Sequence, residues 1–213
     1  MVIVLIGAPG AGKGTLSNML ISDYNFVHIS TGDLIRDEID SGSELGKKLK
    51  AITSTGALVD SNIVYTLLLN AAEKARKKKY SIVFDGFPRN LEQTEWLEKE
   101  CKPDVAIYLR CDLKTVIARL STRRVCPKCN ATTNTRTDPK AKKGICAECG
   151  AQLISRSDDS PNTITNRYRI FEENNQAIID YYKNANILKV IDGTRNKKYV
   201  AAVAARLFKK LNK

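Results

Sequence analysis

No apolar run in this 213-residue chain approaches the roughly 20 residues that a membrane-spanning helix needs. The opening VIVLIG, from Val2, is too short for a signal-peptide core, and nothing like a cleavage site precedes the glycines after it. A cytoplasmic protein is therefore expected. There is no internal repeat and no long low-complexity tract. Histidine is nearly missing: His28 is the single one, and it reads as a structural residue. Acidic residues are in deficit, 23 against 35 Lys and Arg, for a net charge of +12. That excess fits polyanionic partners: nucleotides, nucleic acid or acidic membranes. Part of it has a plainer origin, because the run KARKKK at Lys74–Lys79 reads as a solvated helix end, where cations also suit the helix dipole.

What is present is ordinary for a globular protein. The chain is 43% apolar and 27% charged, long enough for one large domain with small insertions. Val2–Ile6 is a short continuous apolar run, the pattern of a strand buried on both faces of a parallel sheet. FVHIS, SIVF, VAIYL and ILKVI read as four further strands. Helical patterns separate them, which predicts an α/β fold: a parallel five-stranded sheet with helices on both faces. Two stretches do not read as sheet units. Ser30 to Asp60 has amphipathic helical patches broken by SGS and STG. Cys126 to Asp159 has four cysteines, many threonines and lysines, and little apolar periodicity. Each is a candidate insertion.

GAPGAGKGT, from Gly7 to Thr15, nearly fits the phosphate-loop pattern G-x-x-x-x-G-K-[ST]. Gly7, Gly12 and Lys13 fall in place. The position that normally carries a magnesium-gripping hydroxyl is Gly14, and the hydroxyl follows at Thr15. Strand, glycine loop and helix occur in the order that a phosphate site requires. Glycines let the backbone turn its N–H groups inward, and the helix N-terminus adds positive partial charge. SIVFDGFPR then puts Asp85 at the end of an apolar strand, where a carboxylate can hold magnesium-bound water beside the loop. Arg89 follows a Gly-Phe-Pro turn that fixes its direction. In STGDLIR, Ser30 or Thr31 can cap a helix, with Asp33 in the capping-box position and Arg36 near the first turn.

GAPGAGKGT, STGDLIR, GALVD (Gly56–Asp60) and DGFPRNLEQ (Asp85–Gln93) resemble, in order and spacing, the nucleoside monophosphate kinases, and most closely the adenylate kinase family. Gly-Lys-Gly-Thr is that family's own form of the loop. VIARLSTRRV and SRSDDSPNTITNR resemble the segments flanking the family's long lid, and VIDGT its late nucleotide loop. The resemblance covers essentially the whole chain. It implies a phosphate-loop core of residues 1–29, 61–121 and 160–213, a helical AMP-binding insertion at 30–60 and a lid at 122–159. It also implies transfer of a phosphoryl group from ATP, with Mg2+, to AMP, giving two ADP. By motif match, Gly10, Ala11, Gly12, Lys13, Gly14 and Thr15 cradle the ATP phosphates, and Lys13 stabilises the migrating one. Asp85 organises magnesium through water. Thr31, Arg36, Ala57, Leu58 and Val59, with Gly86, Phe87, Pro88, Arg89 and Gln93, hold AMP, and Gln93 reads its adenine edge. Arg119 lies against the ATP adenine, Arg195 offers its backbone nearby, and Thr132 and Thr133 fall on the ATP side. Arg123, Arg156 and Arg167 close on the phosphates. Many lids of the family carry a Tyr-His pair; in the matching stretch TTNTRTDPK, Thr133 and Asn134 stand in its place.

CPKC at Cys126–Cys129 and CAEC at Cys146–Cys149 are two C-x-x-C knuckles sixteen residues apart. That spacing suits a tetrahedral Zn2+ site of four thiolates, whereas disulfides are disfavoured in a reducing compartment. The resemblance agrees, since many such lids hold a structural zinc. Cys101 and Cys111 lie outside the pattern and read as small buried apolar residues. Two other readings stand beside this one: a phosphate-loop ATPase with a nucleic-acid-binding zinc ribbon, and a kinase of another nucleoside monophosphate. The arginines, and a lid without interleaved aromatics, argue against the first. Gln93 and the GALVD loop argue against the second. The expected partners are ATP, AMP and ADP, with no nucleic acid or membrane, and the chain is expected to act as a monomer.

Overall fold

The computed structural model describes residues 1–156 and 158–211. Five parallel strands form the central sheet: β1 (Val2–Ile6), β2 (Phe26–Ser30), β3 (Ser81–Asp85), β4 (Val105–Arg110) and β7 (Leu188–Asp192). Their order across the sheet is β2-β3-β1-β4-β7. Successive side chains alternate between faces, so each central strand feeds two cores. Ile3, Leu5, Val83 and Ile107 pack on one side. Val4, Ile6, Phe84 and Ala106 pack on the other. The last strand begins at Leu188 and not at Ile187, because the Ile187 N–H closes the end of the preceding helix on Tyr182 O at 3.2 Å.

Eight helices connect or flank these strands among the described residues, and a ninth lies in the 122–159 segment. They are α1 (Lys13–Tyr24), α2 (Thr31–Asp40), α3 (Glu44–Ser54), α4 (Ser61–Lys77), α5 (Leu91–Glu100), α6 (Leu113–Leu120), α8 (Pro161–Asn184) and α9 (Lys197–Leu211). Helices α2 and α3 occupy the stretch that the sequence sets apart between Ser30 and Asp60. Segment 122–159 carries a two-stranded antiparallel ribbon, β5 (Arg123–Val125) with β6 (Thr132–Asn134), and the single turn α7 (Pro139–Lys142). A small core of its own, Cys126, Ala141, Cys146 and Leu153, holds it together. The KARKKK run does end a helix: α4 stops at Lys77, with Lys74, Arg76 and Lys77 in its last turn.

Helix starts follow side-chain capping. Ser30, Ser43, Asp60, Asn90, Asp112, Asp138 and Ser160 each accept a hydrogen bond from a backbone N–H of the first turn, satisfying donors that a helix N-terminus leaves orphaned. Helix α1 is the exception. It opens at Gly12, φ 106°, with no side-chain cap, so its first N–H groups remain available to a ligand.

Candidate active site

Sheet order decides where the site lies. Strand β1 is flanked by β3 and β4, so the chain leaves its C-terminal end at a switch point, where open α/β sheets bind ligands. Leu5 pairs with Asp85 across β1 and β3. The glycine loop after β1 and the carboxylate ending β3 are thereby brought side by side. Gly10 and Gly12 have φ of 82° and 106°, values that L side chains rarely adopt. The loop turns back on itself, and Lys13 Nζ donates to Gly7 O at 2.9 Å and Ala8 O at 3.1 Å. The same ammonium lies 3.8 Å from Asp85 Oδ1, with both side chains about one-eighth exposed. Gly14 is close as well: a Cβ there would stand 3.8 Å from Asp85 Oδ2. Thr15 is exposed at the mouth of the loop, and Ala11 is buried beneath it.

Burial pushes the Lys13 amine down from its ordinary value; Asp85 opposes this, while Arg89, Arg167 and Arg123 add to it. Burial raises Asp85, but Lys13 and His28 outweigh it and hold the carboxyl below the ordinary range. Asp85 is therefore ionised at neutral pH.

A second pocket opens beside β3. Thr31, Ile35, Leu58, Val59, Val64, Gly86, Arg89 and Gln93 line it. Gly86 has φ 75°, and a Cβ there would meet Thr31 Oγ1 at 2.8 Å, so only glycine fits without a shift. Thr31 Oγ1 donates to Gly86 O at 2.8 Å, tying the start of α2 to the end of β3. Arg89 Nε donates to Gly86 O at 2.7 Å. The Gln93 amide is anchored at both ends: Oε1 accepts from Arg89 N at 2.8 Å, and Nε2 donates to Ser61 Oγ at 3.3 Å. Phe87 and Pro88, joined by a cis bond, turn their side chains into the core. Phe87 packs there with Tyr65, Phe84 and Trp96. Ala57 is exposed, at the loop edge facing α8. Arg36 bonds Asp33 on its own helix.

The arginines from the flanks of segment 122–159 meet these residues. Arg123 grips Asp159 with two bonds, Nε to Oδ2 at 2.7 Å and a terminal nitrogen to Oδ1 at 2.6 Å. Arg167 donates to Asp158 Oδ2 at 2.9 Å. Arg156 donates to Thr132 Oγ1 at 3.2 Å, while its buried Nε has no partner among the described residues. Burial first, then Arg167, pushes Arg89 down to about 10. Burial first, then Arg123, pushes Arg156 down to about 10. Lys13, Arg89, Arg123, Arg156 and Arg167 thus form one cluster of like charge, drawn from four separate segments. Such a cluster is complementary to a polyanion.

On the far side, Arg119 joins two loops. One terminal nitrogen donates to Ala11 O at 3.2 Å and Gly10 O at 3.4 Å, the other to Thr194 O and Arg195 O, each at 3.3 Å. Arg195 itself lies over the Tyr199 ring, 5.2 Å from its centre. Thr133 Oγ1 donates to Asp138 Oδ2 at 2.8 Å. Asn134 accepts from Thr122 Oγ1 at 3.0 Å and donates to Arg119 O at 2.9 Å. Both side chains fasten the ribbon internally and to the end of α6.

Cys126, Cys129, Cys146 and Cys149 bring their sulfurs within 4.8 Å of one another. Cys126 and Cys149 are 3.4 Å apart, and Cys129 and Cys146 3.6 Å. A tetrahedron with Zn–S of about 2.3 Å needs S···S separations of about 3.8 Å, so the donor set fits zinc. Cys101 and Cys111 are buried elsewhere, as expected.

Two features of the site are not assigned by the sequence reading. Asp158 and Asp159 are the partners that aim Arg167 and Arg123; their adjacency to Arg156 is the only linear signal. His28 lies at the edge of the site, its Nε2 3.3 Å from Asp85 Oδ2.

The adenylate kinase family model matches residues 5–187. The chain belongs to the adenylate kinase family. Its relatives include the adenylate kinase of Pseudothermotoga lettingae, 40% identical over 216 residues that cover 99% of each chain. That of Fervidobacterium nodosum is 40% identical over 201 residues, 92% of each chain. That of Thermococcus kodakarensis is 38% identical over 198 residues, 91% of this chain and 87% of that protein. Among the described residues, no helix is long and apolar enough to cross a membrane.

Proposed function

We propose that the chain is an ATP:AMP phosphotransferase, catalysing reversible phosphoryl transfer from magnesium-bound ATP to AMP to give two ADP. One observation carries the reading: Arg89, Arg123 and Arg167 gather around Lys13, with Arg156 beside Arg123, next to a second, partly apolar pocket lined by Thr31, Leu58, Val59 and Gln93. In this reading the ATP phosphates lie against the free N–H groups of α1 and the glycine loop, Gly10 to Thr15. Lys13 leaves the carbonyls of Gly7 and Ala8 to follow the migrating group. The AMP phosphate is itself the nucleophile and is mostly ionised at neutral pH, so no general base is needed. Arg36, Arg89, Arg156 and Arg167 hold that phosphate, and Arg123 spans the donor side. The AMP base enters between Ala57–Val59 and Gln93, whose anchored amide faces its edge. Arg119 and the Thr194–Arg195 backbone fix the ATP base. Catalysis is then mainly positioning and charge neutralisation in a site from which the lid excludes water.

The Asp85 carboxylate, held ionised, together with Thr15, suits Mg2+ bound to the ATP phosphates, where the ion adds neutralising charge. Four thiolates with no open position suit a structural Zn2+ in a lid spanning residues 122–159, with residues 30–60 as the AMP-binding insertion and the remainder as core. The free cysteines support a reducing, cytoplasmic setting, and we propose a monomer. A coupled assay with ATP, Mg2+ and each nucleoside monophosphate in turn tests the reading. AMP should react far faster than UMP, CMP or GMP. Equal rates with UMP would overturn the AMP assignment, and no transfer to any monophosphate would overturn the kinase.

A further inference from the structure

Asp85 is held by very little. Lys13 Nζ is 3.8 Å from Oδ1, a charge contact too long for a hydrogen bond. The one hydrogen bond to the Asp85 carboxylate among the described residues comes from His28, Nε2 to Oδ2 at 3.3 Å. An ionised carboxylate can only accept, so Nε2 must carry the hydrogen. His28 reaches Asp85 because of register. It pairs with Val83 on β3, and Ser30 pairs with Asp85; the imidazole lies on the same face and leans along the strand toward the site.

The terminal torsion of an aspartate is soft. Without a partner on Oδ2, the carboxylate can swing toward Lys13 and close a direct ion pair with it. That pairing would occupy both the lysine needed at the migrating phosphate and the oxygens needed at metal-bound water. We propose that His28 is a positioning residue that keeps Asp85 turned away from Lys13 and so leaves both free for ligand. This role rests on the reading of Asp85 as the group that organises Mg2+. The electrostatics agree. Burial raises Asp85, Lys13 and then His28 lower it, and His28 also contributes, after Arg36 and Ser30, to holding Asp33 down. The imidazole thus acts on both the carboxylate that ends β3 and Asp33 in the first turn of α2.

The test measures Mn2+ affinity, by electron paramagnetic resonance, for the full-length protein in complex with a non-hydrolysable ATP analogue. Thermal melts and steady-state kinetics accompany it. His28→Leu should weaken Mn2+ by about tenfold, the low end of what losing a ligand-orienting hydrogen bond costs. It should lower kcat/KM for MgATP in parallel, while the KM for AMP moves less than about twofold. His28→Gln keeps an N–H donor at similar reach and should recover Mn2+ affinity to within about threefold of the parent. A lower melting temperature with unchanged Mn2+ affinity in both variants would make His28 merely structural and overturn the proposal. Asp85→Asn separates the two levels. If it weakens Mn2+ and the His28 variants do not, the positioning role alone fails. If it leaves Mn2+ unchanged, the metal reading of Asp85 fails and the role of His28 with it.

Discussion

Replacing Lys13 by Met keeps the side-chain length and removes the charge. Two effects follow, and they are separable. In turnover, the variant loses the ammonium at the glycine loop, which should cost at least about 100-fold, near 2.7 kcal/mol of transition-state stabilisation. In stability, the variant strands Asp85. At 3.8 Å and an effective dielectric of about 20, the pair attracts by about 4 kcal/mol. The relieved burial of the ammonium returns part of that, and His28 and Arg89 still face the carboxylate, so a net loss of about 1–3 kcal/mol is expected. For a chain of this size that lowers the melting temperature by about 2–12 °C. Adding Asp85→Asn removes the stranded charge, and the double variant should melt above Lys13→Met alone. The assay is a coupled measurement of ADP formation beside calorimetry of the parent, the two single variants and the double variant. Near-normal turnover in folded Lys13→Met would refute the role of Lys13. A double variant no more stable than the single would refute the account of the pair.

Three further outcomes are expected. Protein purified without chelator should carry one Zn2+ per chain by elemental analysis, and Cys126→Ser or Cys149→Ser should destabilise the lid while low-temperature activity persists in part; no metal, or thiols paired as disulfides by mass spectrometry in reduced protein, would refute the site. A mimic joining two adenosines through five phosphates should slow hydrogen exchange across residues 123–159, because the arginines are attracted to its charge; unchanged exchange would refute that account of closure. Burial raises Asp158, but Arg167 and its neighbours hold it below the ordinary value. It therefore stabilises the fold above about pH 4, and this is lost as pH falls through its lowered value. Asp158→Asn should accordingly be less stable than the parent at pH 7, with the gap narrowing below about pH 4 in urea melts; a gap that widens on acidification would contradict the pairing.

Much of this was legible in the chain because it is local. A buried parallel strand must be a short apolar run, and all five runs became strands. The phosphate loop, the Ser30 cap and the two cysteine knuckles are written within a few residues each. What was not legible depends on register and on distant contacts. Nothing near His28 says that it will touch Asp85, 57 residues away; that follows only once Ser30 is paired with Asp85. The Arg119 bridge needs α6 to lie over both loops. Thr133 and Asn134 differ from the aromatic pair common in the family, and only the fold gives them work, as fastenings of the ribbon. That the Phe87 side chain packs into the core likewise follows from the fold and not from the motif.

The lid's little core has a consequence for how the molecule fails. Cys126, Ala141, Cys146 and Leu153 belong to neither of the two clusters that the sheet divides. Strands β1, β3 and β4 contribute to both of those clusters, so they must be lost together. The ribbon is tied to the end of α6 by hydrogen bonds of Asn134, but among the described residues it shares no core cluster with the sheet, so it can melt first. Heat inactivation and global unfolding are then different events, with a window of temperature between them in which the sheet is intact, the lid is molten and the enzyme is silent. Cooling from within that window should restore activity at the speed of a small unit refolding, not of a whole chain.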